Sequence, residues 1–267
     1  MGTCEINAQE KPAGGHTTSC ALCVPTGRLR PEEVHVWWSP LAPLLKQRRL
    51  LEPYLSADEA ARQARFRFPR DGDHYLLRRG LLRVLLGRYL HTPPADVRLT
   101  YGAHGKPMLA QSDLCFNMSE SRGCAIYAIT RGRSIGVDIE QIRDAPALDQ
   151  LARQHFADAE YALVHACSKH AELRHTFFWC WTRKEAFVKA LGEGLHHPLE
   201  TFDTSAHYVR SARGDMTSVA WSLHNVPTAP GFAAALAIEG NHPLRVQVRR
   251  LAYDDERLTG KEPSPEA

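Results

Sequence analysis

The sequence predicts an α+β protein made of two similar halves with a cleft between them. Stretches with a helical period of apolar residues occur beside stretches in which apolar and polar residues alternate, so both element types are expected. Each half reads as helices followed by strands. The segment GCAIYAIT at Gly123–Thr130 also resembles GFAAALAI at Gly231–Ile238. A duplicated unit of this kind would place the cleft near the middle of the sequence.

Composition narrows the class of protein. Of the 267 residues, 43% are hydrophobic and 24% charged, which is ordinary for a globular chain, and the net charge of +3 gives no general nucleic-acid signature. Without an apolar run of membrane-spanning length or a signal-peptide pattern, we expect a cytoplasmic protein with no membrane or nucleic-acid partner. The seven scattered cysteines do not indicate a disulfide framework, and Cys20 with Cys23 is too few ligands for a closed zinc site.

The first half is predicted to run from strand to helices and back to strands. Ser56 precedes two acids, which is typical of a capped helix start, and Pro69–Gly72 reads as a break before the next helix. Strands are predicted at Val34–Trp38, Val97–Thr100, Cys115–Ser119 and Cys124–Ile129, and helices at Pro43–Leu55, Ser56–Arg67 and Asp73–Leu90. Along the last helix, Arg79 and Arg83 lie one turn apart, which favours a solvated basic face.

The second half centres on a helix predicted over Thr176–Leu195. Its apolar residues recur at helical spacing, and Gly192 and Gly194 form a stop signal. Other helices are predicted at Ala147–His155 and Asp158–Lys169, and strands at Ile135–Glu140, Phe202–Asp203, Tyr208–Arg210, Val219–Leu223, Phe232–Ile238 and Val246–Leu251.

These patterns predict four segments. Residues 1–31 are a flexible leader rich in Gly, Thr and Pro, and 254–267 are a charged, disordered tail. Residues 32–132 form the N-terminal half and 133–253 the C-terminal half.

Three acids stand out as candidate metal ligands. Asp138 and Glu140 share one face of the predicted strand, and Glu185 falls on the apolar face of the central helix, one turn before Lys189. A solvated strand face and a weak Glu185–Lys189 ion pair would explain them separately. Together, three converging carboxylates would need a cation, and hard oxygen ligands without His or Cys favour Mg²⁺, with Mn²⁺ possible.

A magnesium site of this type predicts a phosphate-bearing substrate, because Mg²⁺ usually completes its six ligands with waters and phosphate oxygens. Groups able to hold those phosphates are Lys106, Ser119, Lys189 and the arginines between Arg62 and Arg83.

The order of four short motifs resembles that of the 4′-phosphopantetheinyl transferases, in particular their larger, two-half, surfactin-synthetase-activating type. The motifs are Gly105-Lys106-Pro107, Phe116–Ser119, Gly136–Glu140 and Trp181–Lys189. The resemblance spans residues 34 to 250. It implies a monomer with coenzyme A in the cleft between two α+β halves. It also implies transfer of phosphopantetheine to a serine of an acyl, peptidyl or polyketide carrier protein, with release of adenosine 3′,5′-bisphosphate.

The same resemblance assigns roles to residues. Asp138, Glu140 and Glu185 match the family's Mg²⁺ ligands, Lys189 matches a lysine near the pyrophosphate, and Glu160 matches a candidate general base. Lys106 and Ser119 match phosphate-contacting positions. Arg62 and Arg65 match the basic segment that holds the adenosine 3′-phosphate.

Two positions depart from the family pattern. Where the family usually has Ser-His-Ser, this chain has Ser119-Glu120-Ser121, and an ionised glutamate cannot donate to a phosphate. We expect the Glu120 side chain to point away from the substrate. Glu59 is a second departure, an acid in a segment that the family often makes basic.

Two alternative functions stay open. One is a non-catalytic module that binds carrier proteins or coenzyme A, and the other is a Mg²⁺-dependent hydrolase of nucleotide pyrophosphates.

Overall fold

The computed structural model describes residues 29–192, 197–211 and 220–251. Residues 1–28 of the predicted leader, with Cys20 and Cys23, lie outside the described residues, as do Gly194, the first residue of the strand predicted at Val219–Leu223 and the predicted tail 254–267. Within the described part of the chain, no helix is long and apolar enough to cross a membrane.

The first half contains five strands and three helices. Its elements are β1 (Glu33–Pro40), α1 (Arg48–Leu51), α2 (Ala57–Ala64), α3 (Pro69–Leu90), β2 (Leu99–Tyr101), β3 (Pro107–Leu109), β4 (Leu114–Ser121) and β5 (Cys124–Arg131). Short 3₁₀ turns at Ala42–Gln47 and Glu52–Tyr54 flank α1, so the helix predicted over Pro43–Leu55 is broken into three pieces.

The second half contains three helices and six strands within the described residues. They are β6 (Ile135–Gln141), α4 (Leu148–His155), α5 (Asp158–His165), α6 (His170–Leu191), β7 (Phe202–Asp203), β8 (Arg210–Ser211), β9 (Trp221–Asn225), β10 (Phe232–Glu239) and β11 (Arg245–Arg250). Gly192 ends α6 in the left-handed conformation at φ +77°, as the stop signal predicted.

Both halves repeat one topology, which confirms the predicted α+β duplication. Each consists of a strand, a long helix of 22 residues and a hairpin of two strands. In the first sheet the order is β1-β5-β4, and in the second it is β6-β10-β9, with every neighbour antiparallel. The strand β11 then returns to the first sheet and pairs with β1 in parallel, so the last strand of the described residues lies outside the second half's own sheet.

The two sheets pack between the two long helices in four layers. Apolar residues of α3 meet one face of the first sheet, including Trp37 and Tyr127. The other face packs against the second sheet through residues such as Ile126 and Val137, and α6 covers the outer face of the second sheet. Buried apolar surface therefore holds the halves together across the middle layer.

One local prediction, for the start of α2, is confirmed, and another, for the start of α3, is wrong. Ser56 and Glu59 form the predicted reciprocal cap of α2. The break predicted at Pro69–Gly72 is wrong, because α3 begins at Pro69 itself. Proline lacks an N–H that the first helical turn would leave unpaired, so it suits this position.

Gly136 lets β6 approach α6 closely. A Cβ at this position would lie 2.0 Å from the carbonyl oxygen of Ala186 and 2.4 Å from the backbone nitrogen of Ala190. Since both atoms belong to helix backbone, no side-chain rotation can relieve the clash. This contact sets the separation between the strand with the two acids and the helix with the third.

Gly136→Ala should therefore lower the free energy of unfolding by about 3 kcal/mol, the order expected for overpacking a tight contact. Urea unfolding followed by circular dichroism measures it. Gly102→Ala is the matched control, because the nearest atom to its Cβ would be Met108 Cε at 3.6 Å. Equal stability of the two variants would contradict the close β6–α6 contact.

Candidate active site

The candidate site lies where the edge of the first sheet meets the edge of the second. Side chains of β4 bridge to β6 at three successive inward positions. Asn117 Oδ1 accepts from Val137 N at 2.9 Å, and Ser121 Oγ accepts from Gln141 N at 3.2 Å. Two N–H groups on the edge of β6 are thus satisfied by side chains of the other half.

Both strand acids are hydrogen-bonded by the serines of β4. Ser119 Oγ donates to Asp138 Oδ1 at 2.8 Å, and Ser121 Oγ donates to Glu140 Oε2 at 2.7 Å. The predicted alternation is confirmed, since Val137 and Ile139 are buried in the core between the sheets while Asp138 and Glu140 face α6. The sequence analysis did not predict a role for Asn117 or Ser121, although polar residues at every second position of β4 could have indicated one.

Lys189 reaches across to the strand instead of along its own helix. Its Nζ lies 2.5 Å from Asp138 Oδ1 and donates to Ser119 Oγ at 2.8 Å. The Glu185–Lys189 pair that would have explained the helix acid is not among the ion pairs of the described residues. Lys189, Ser119 and Asp138 form one connected group contributed by three elements, α6, β4 and β6.

The three acids are largely buried, and their negative charges act on one another. Burial raises the pKa of Glu185, and the charges of Asp138 and Glu140 raise it further against the effect of Lys189. Burial likewise raises the pKa of Glu140, and Asp138 adds to it, opposed by the Ser121 hydrogen bond. The net effect on both acids disfavours the ionised form, because one ammonium does not balance three carboxylates.

The donor set fits a hard divalent cation. Asp138 Oδ2 is buried and has no hydrogen-bond partner, so one carboxylate oxygen at the centre of the group is left for another ligand. As their side chains stand, no three His, Cys, Asp or Glu residues in the described ranges enclose a metal position. The positive charge beside Asp138 is instead the Lys189 ammonium, whose Nζ lies 2.5 Å from Oδ1.

Lys106 bridges the two halves. Its Nζ donates to the carbonyl oxygens of Ile135 and Ala190, both at 3.0 Å, at the start of β6 and in the last turn of α6. Burial lowers its pKa to about 8. An ammonium has three N–H groups, so one is left over, and the phosphate contact expected of Lys106 stays a prediction.

The basic residues of α2 and α3 fall into two groups. Some are buried and form ion pairs within the fold, and others are exposed to solvent. Arg79 and Arg83 are buried and pair with Glu59 at 3.1 and 2.6 Å, so the solvated basic face predicted for them is wrong. Glu59 is thereby explained as the partner of two arginines within the core. Arg62 and Arg65 are exposed, and Arg62 lies over the ring of Tyr75 at 5.6 Å. Their predicted contact with a 3′-phosphate stays a prediction.

Glu160 does not lie in this group. Its side chain is 0% exposed and accepts from Ala157 N at 2.9 Å, from Thr204 N at 2.7 Å and from Thr204 Oγ1 at 2.5 Å. It also pairs with the equally buried Lys184 at 2.6 Å. This arrangement does not fit the general base predicted for Glu160, because four donors hold the carboxylate inside the fold. Lys184, which donates also to the carbonyl oxygens of Leu199 and Phe202, was missed as its partner.

Comparison with known proteins identifies the family. A family model described as the 4′-phosphopantetheinyl transferase superfamily matches residues 134–237. Another, described as 4′-phosphopantetheinyl transferase, N-terminal, matches residues 37–129. The stretch between the two matches contains residue 132, at which the sequence predicted the halves to divide.

Two curated relatives are similar over much of the chain. The 4′-phosphopantetheinyl transferase HetI of Nostoc sp. is 36% identical over 220 residues, which cover 81% of this chain and 92% of that protein. The 4′-phosphopantetheinyl transferase Sfp of Bacillus subtilis is 30% identical over 155 residues, 58% of this chain and 67% of that protein. The holo-[acyl-carrier-protein] synthase structure of Thermotoga maritima matches 41% of this chain and 64% of its own, with 20% identity and a TM-score of 0.30. The protein belongs to the 4′-phosphopantetheinyl transferase family and is an enzyme of that class.

Replacing Glu160 should cost stability. We expect Glu160→Ala to lower the free energy of unfolding by about 3–5 kcal/mol, because Lys184 would remain as an uncompensated buried charge. The double variant Glu160→Leu with Lys184→Met should recover most of the loss in urea unfolding, since it removes both charges together. An inactive Glu160→Ala protein with wild-type stability would instead restore the general-base assignment.

Proposed function

We propose that this enzyme transfers 4′-phosphopantetheine from coenzyme A to a serine hydroxyl of an apo carrier protein, in a Mg²⁺-dependent reaction that releases adenosine 3′,5′-bisphosphate. The observation that supports it best is the group at the sheet junction. Three acids, a serine and a lysine from three elements meet there, and one buried carboxylate oxygen has no partner.

Phosphoryl transfer asks a protein chiefly for positioning and for neutralising charge. Asp138, Glu140 and Glu185 would hold Mg²⁺, which when bound supplies positive charge for the pyrophosphate oxygens. Ser119 and Ser121 orient two of these acids through the hydrogen bonds described above, and Gly136 fixes the strand against the helix that bears the third.

Lys189 and Ser119 are placed to contact a phosphate oxygen. Both already share one hydrogen bond beside Asp138, so an anion entering at this point would meet an ammonium and a hydroxyl donor together. If a metal ion held the Asp138 carboxylate, Lys189 would lose its present partner, and its ammonium could then pair with a phosphate oxygen of the substrate. The released product is stabilised in the same way, because its 5′-phosphate presents similar oxygens.

Substrate class follows from the family and from the site's charge. An acyl, peptidyl or polyketide carrier protein provides the serine, and coenzyme A provides the transferred group. A non-catalytic binding module would not need Asp138 and Glu140 to be oriented by serines of a second strand. A pyrophosphate hydrolase would use the same acids but no carrier protein.

The test is a mass measurement. Incubation with coenzyme A, Mg²⁺ and a panel of apo carrier proteins should add about 340 Da to a carrier, the mass of the phosphopantetheinyl group moved by this phosphoryl transfer. No mass shift on any carrier would contradict the proposal. Breakdown of coenzyme A in the absence of a carrier would identify a hydrolase instead.

The metal assignment is tested by substitution. Asp138→Ala and Glu185→Ala should each lower turnover below detection while the protein stays folded by circular dichroism. Asp144→Ala is the matched control, because Asp144 is an exposed acid that pairs with Arg174 at 2.7 Å away from the junction. Near-normal turnover of either site variant would show that the metal ligands are assigned wrongly.

A further inference from the structure

Ser121 is the last residue of β4 and lies at the junction of the two halves. In the hairpin of β4 and β5 it pairs with Cys124, and the two residues between them, Arg122 and Gly123, have positive φ angles of 49° and 78°. Two such residues form the tight turn that fixes the register of a hairpin. The backbone at Ser121 is therefore held in place, and its side chain is buried.

The side chains of Ser119 and Ser121 point toward β6, and the residue between them points the other way. Glu120 faces the opposite side of the strand, because neighbouring residues of a strand alternate. Its Oε1 accepts from Gly123 N at 2.7 Å, within the turn. The acid that departs from the family pattern thus points away from the junction, as expected from the sequence, and the two residues that face β6 are serines.

The Ser121 hydroxyl uses its one hydrogen atom on Glu140. It donates to Oε2 at 2.7 Å and accepts from Gln141 N at 3.2 Å. Because a hydroxyl has a single O–H, it can engage only one oxygen of the carboxylate at a time. The other oxygen, Oε1, has no hydrogen bond within the described residues. The two oxygens of Glu140 are therefore not equivalent.

Asp138 shows the same division between its oxygens. Ser119 donates to Oδ1 at 2.8 Å, while the buried Oδ2 has no hydrogen-bond partner. Glu185, which comes from α6, makes no side-chain hydrogen bond within the described residues. The serines of β4 thus leave one free oxygen on each strand acid, and the helix acid keeps both.

Divalent cations differ in how many carboxylate oxygens they need. Mg²⁺ takes about six ligands at roughly 2.0–2.1 Å and usually keeps several waters, whereas Ca²⁺ takes about six to eight at roughly 2.3–2.6 Å and often binds both oxygens of one carboxylate. One oxygen each from Asp138 and Glu140 suits the smaller ion. For Glu140 to bind an ion through both oxygens, its hydrogen bond from Ser121 would have to break.

We propose that Ser121 is a positioning residue that makes the metal site select Mg²⁺ over Ca²⁺, because its hydrogen bond restricts Glu140 to one metal-binding oxygen. The inference rests on the proposed function, which supplies the divalent cation. Ser119 acts on Asp138 in the same way, but it also accepts from Lys189 and is placed to contact a phosphate. Ser121 is therefore the position at which the effect on the metal can be measured separately.

The test is displacement of Mn²⁺ by Mg²⁺ or by Ca²⁺, followed by electron paramagnetic resonance on the whole protein with coenzyme A and no carrier protein. In the unaltered protein, Mg²⁺ should displace half of the Mn²⁺ at a lower concentration than Ca²⁺ does. Ser121→Ala should shift the ratio of these two concentrations toward Ca²⁺ by about tenfold, the order expected when a residue that orients a metal ligand is lost. Ser121→Thr keeps the hydroxyl and should retain the original ratio.

Ser39→Ala is the matched control. Ser39 is a buried serine of β1 whose hydroxyl donates to the carbonyl oxygen of Pro40, so its loss should leave the ratio unchanged. An unchanged ratio in folded Ser121→Ala, or equal losses of affinity for both ions, would overturn the proposal. If the alanine variant does not fold, Ser121→Cys takes its place, because a thiol keeps the shape of the side chain and is only a weak donor. The same shift is expected there, and its absence would overturn the proposal equally.

These outcomes separate the inference from the proposed function. If Mn²⁺ does not bind the unaltered protein, or binds Asp138→Ala equally well, the metal assignment fails and the role of Ser121 fails with it. If Mn²⁺ binding depends on the acids and carriers are modified, but Ser121→Ala keeps the preference for Mg²⁺, only the inference about Ser121 fails.

Discussion

Two sheet edges meet in this protein, and side chains rather than backbone pairing join them. Asn117 and Ser121 of β4 accept from backbone N–H groups of β6, and Ser119 and Ser121 donate to its acids. Because the inward positions of β4 are polar, two N–H groups on the edge of β6 have hydrogen-bond partners and the two acids of β6 are held at defined places. The third acid comes from α6, whose distance from β6 is set by Gly136. The site is therefore a product of the duplication, since neither half supplies all of its groups.

The buried acids differ in how their carboxylate oxygens are partnered. Glu160 is enclosed by four donors, and Glu59 forms ion pairs through both carboxylate oxygens, with Arg79 at Oε1 and Arg83 at Oε2. Every carboxylate oxygen of these two acids therefore has a hydrogen bond or an ion pair within the fold, although Glu59 Oε1 has only the ion pair. Asp138 is incomplete, because Oδ1 has a lysine and a serine while the buried Oδ2 has nothing. A buried polar atom without a partner is costly and needs an explanation in a stable protein. A cation supplied with the substrate is an explanation that also suits the raised pKa values of Glu140 and Glu185.

Sequence patterns located the acids of the site well and their surroundings less well. The alternation of β6 and the period of α6 placed Asp138, Glu140 and Glu185, because those regularities are fixed by local backbone geometry. No local pattern distinguishes Glu160 from a solvent-facing acid in a first helical turn, since its partners Lys184 and Thr204 are distant in the chain. The solvated face predicted for Arg79 and Arg83 was wrong for the same reason, because only the tertiary fold brings Glu59 to them. The polar alternation of β4 was readable, yet its meaning depended on which strand lies opposite.

The central claim is that a divalent cation and coenzyme A bind at the junction of β4, β6 and α6. A crystal structure of the protein with coenzyme A and Mn²⁺, in which anomalous scattering locates the ion, tests it directly. We expect the ion to be ligated by Asp138, Glu140 and Glu185, with Lys189 moved from Asp138 to a pyrophosphate oxygen. An ion bound elsewhere, or an unchanged Lys189–Asp138 pair beside bound coenzyme A, would contradict the account.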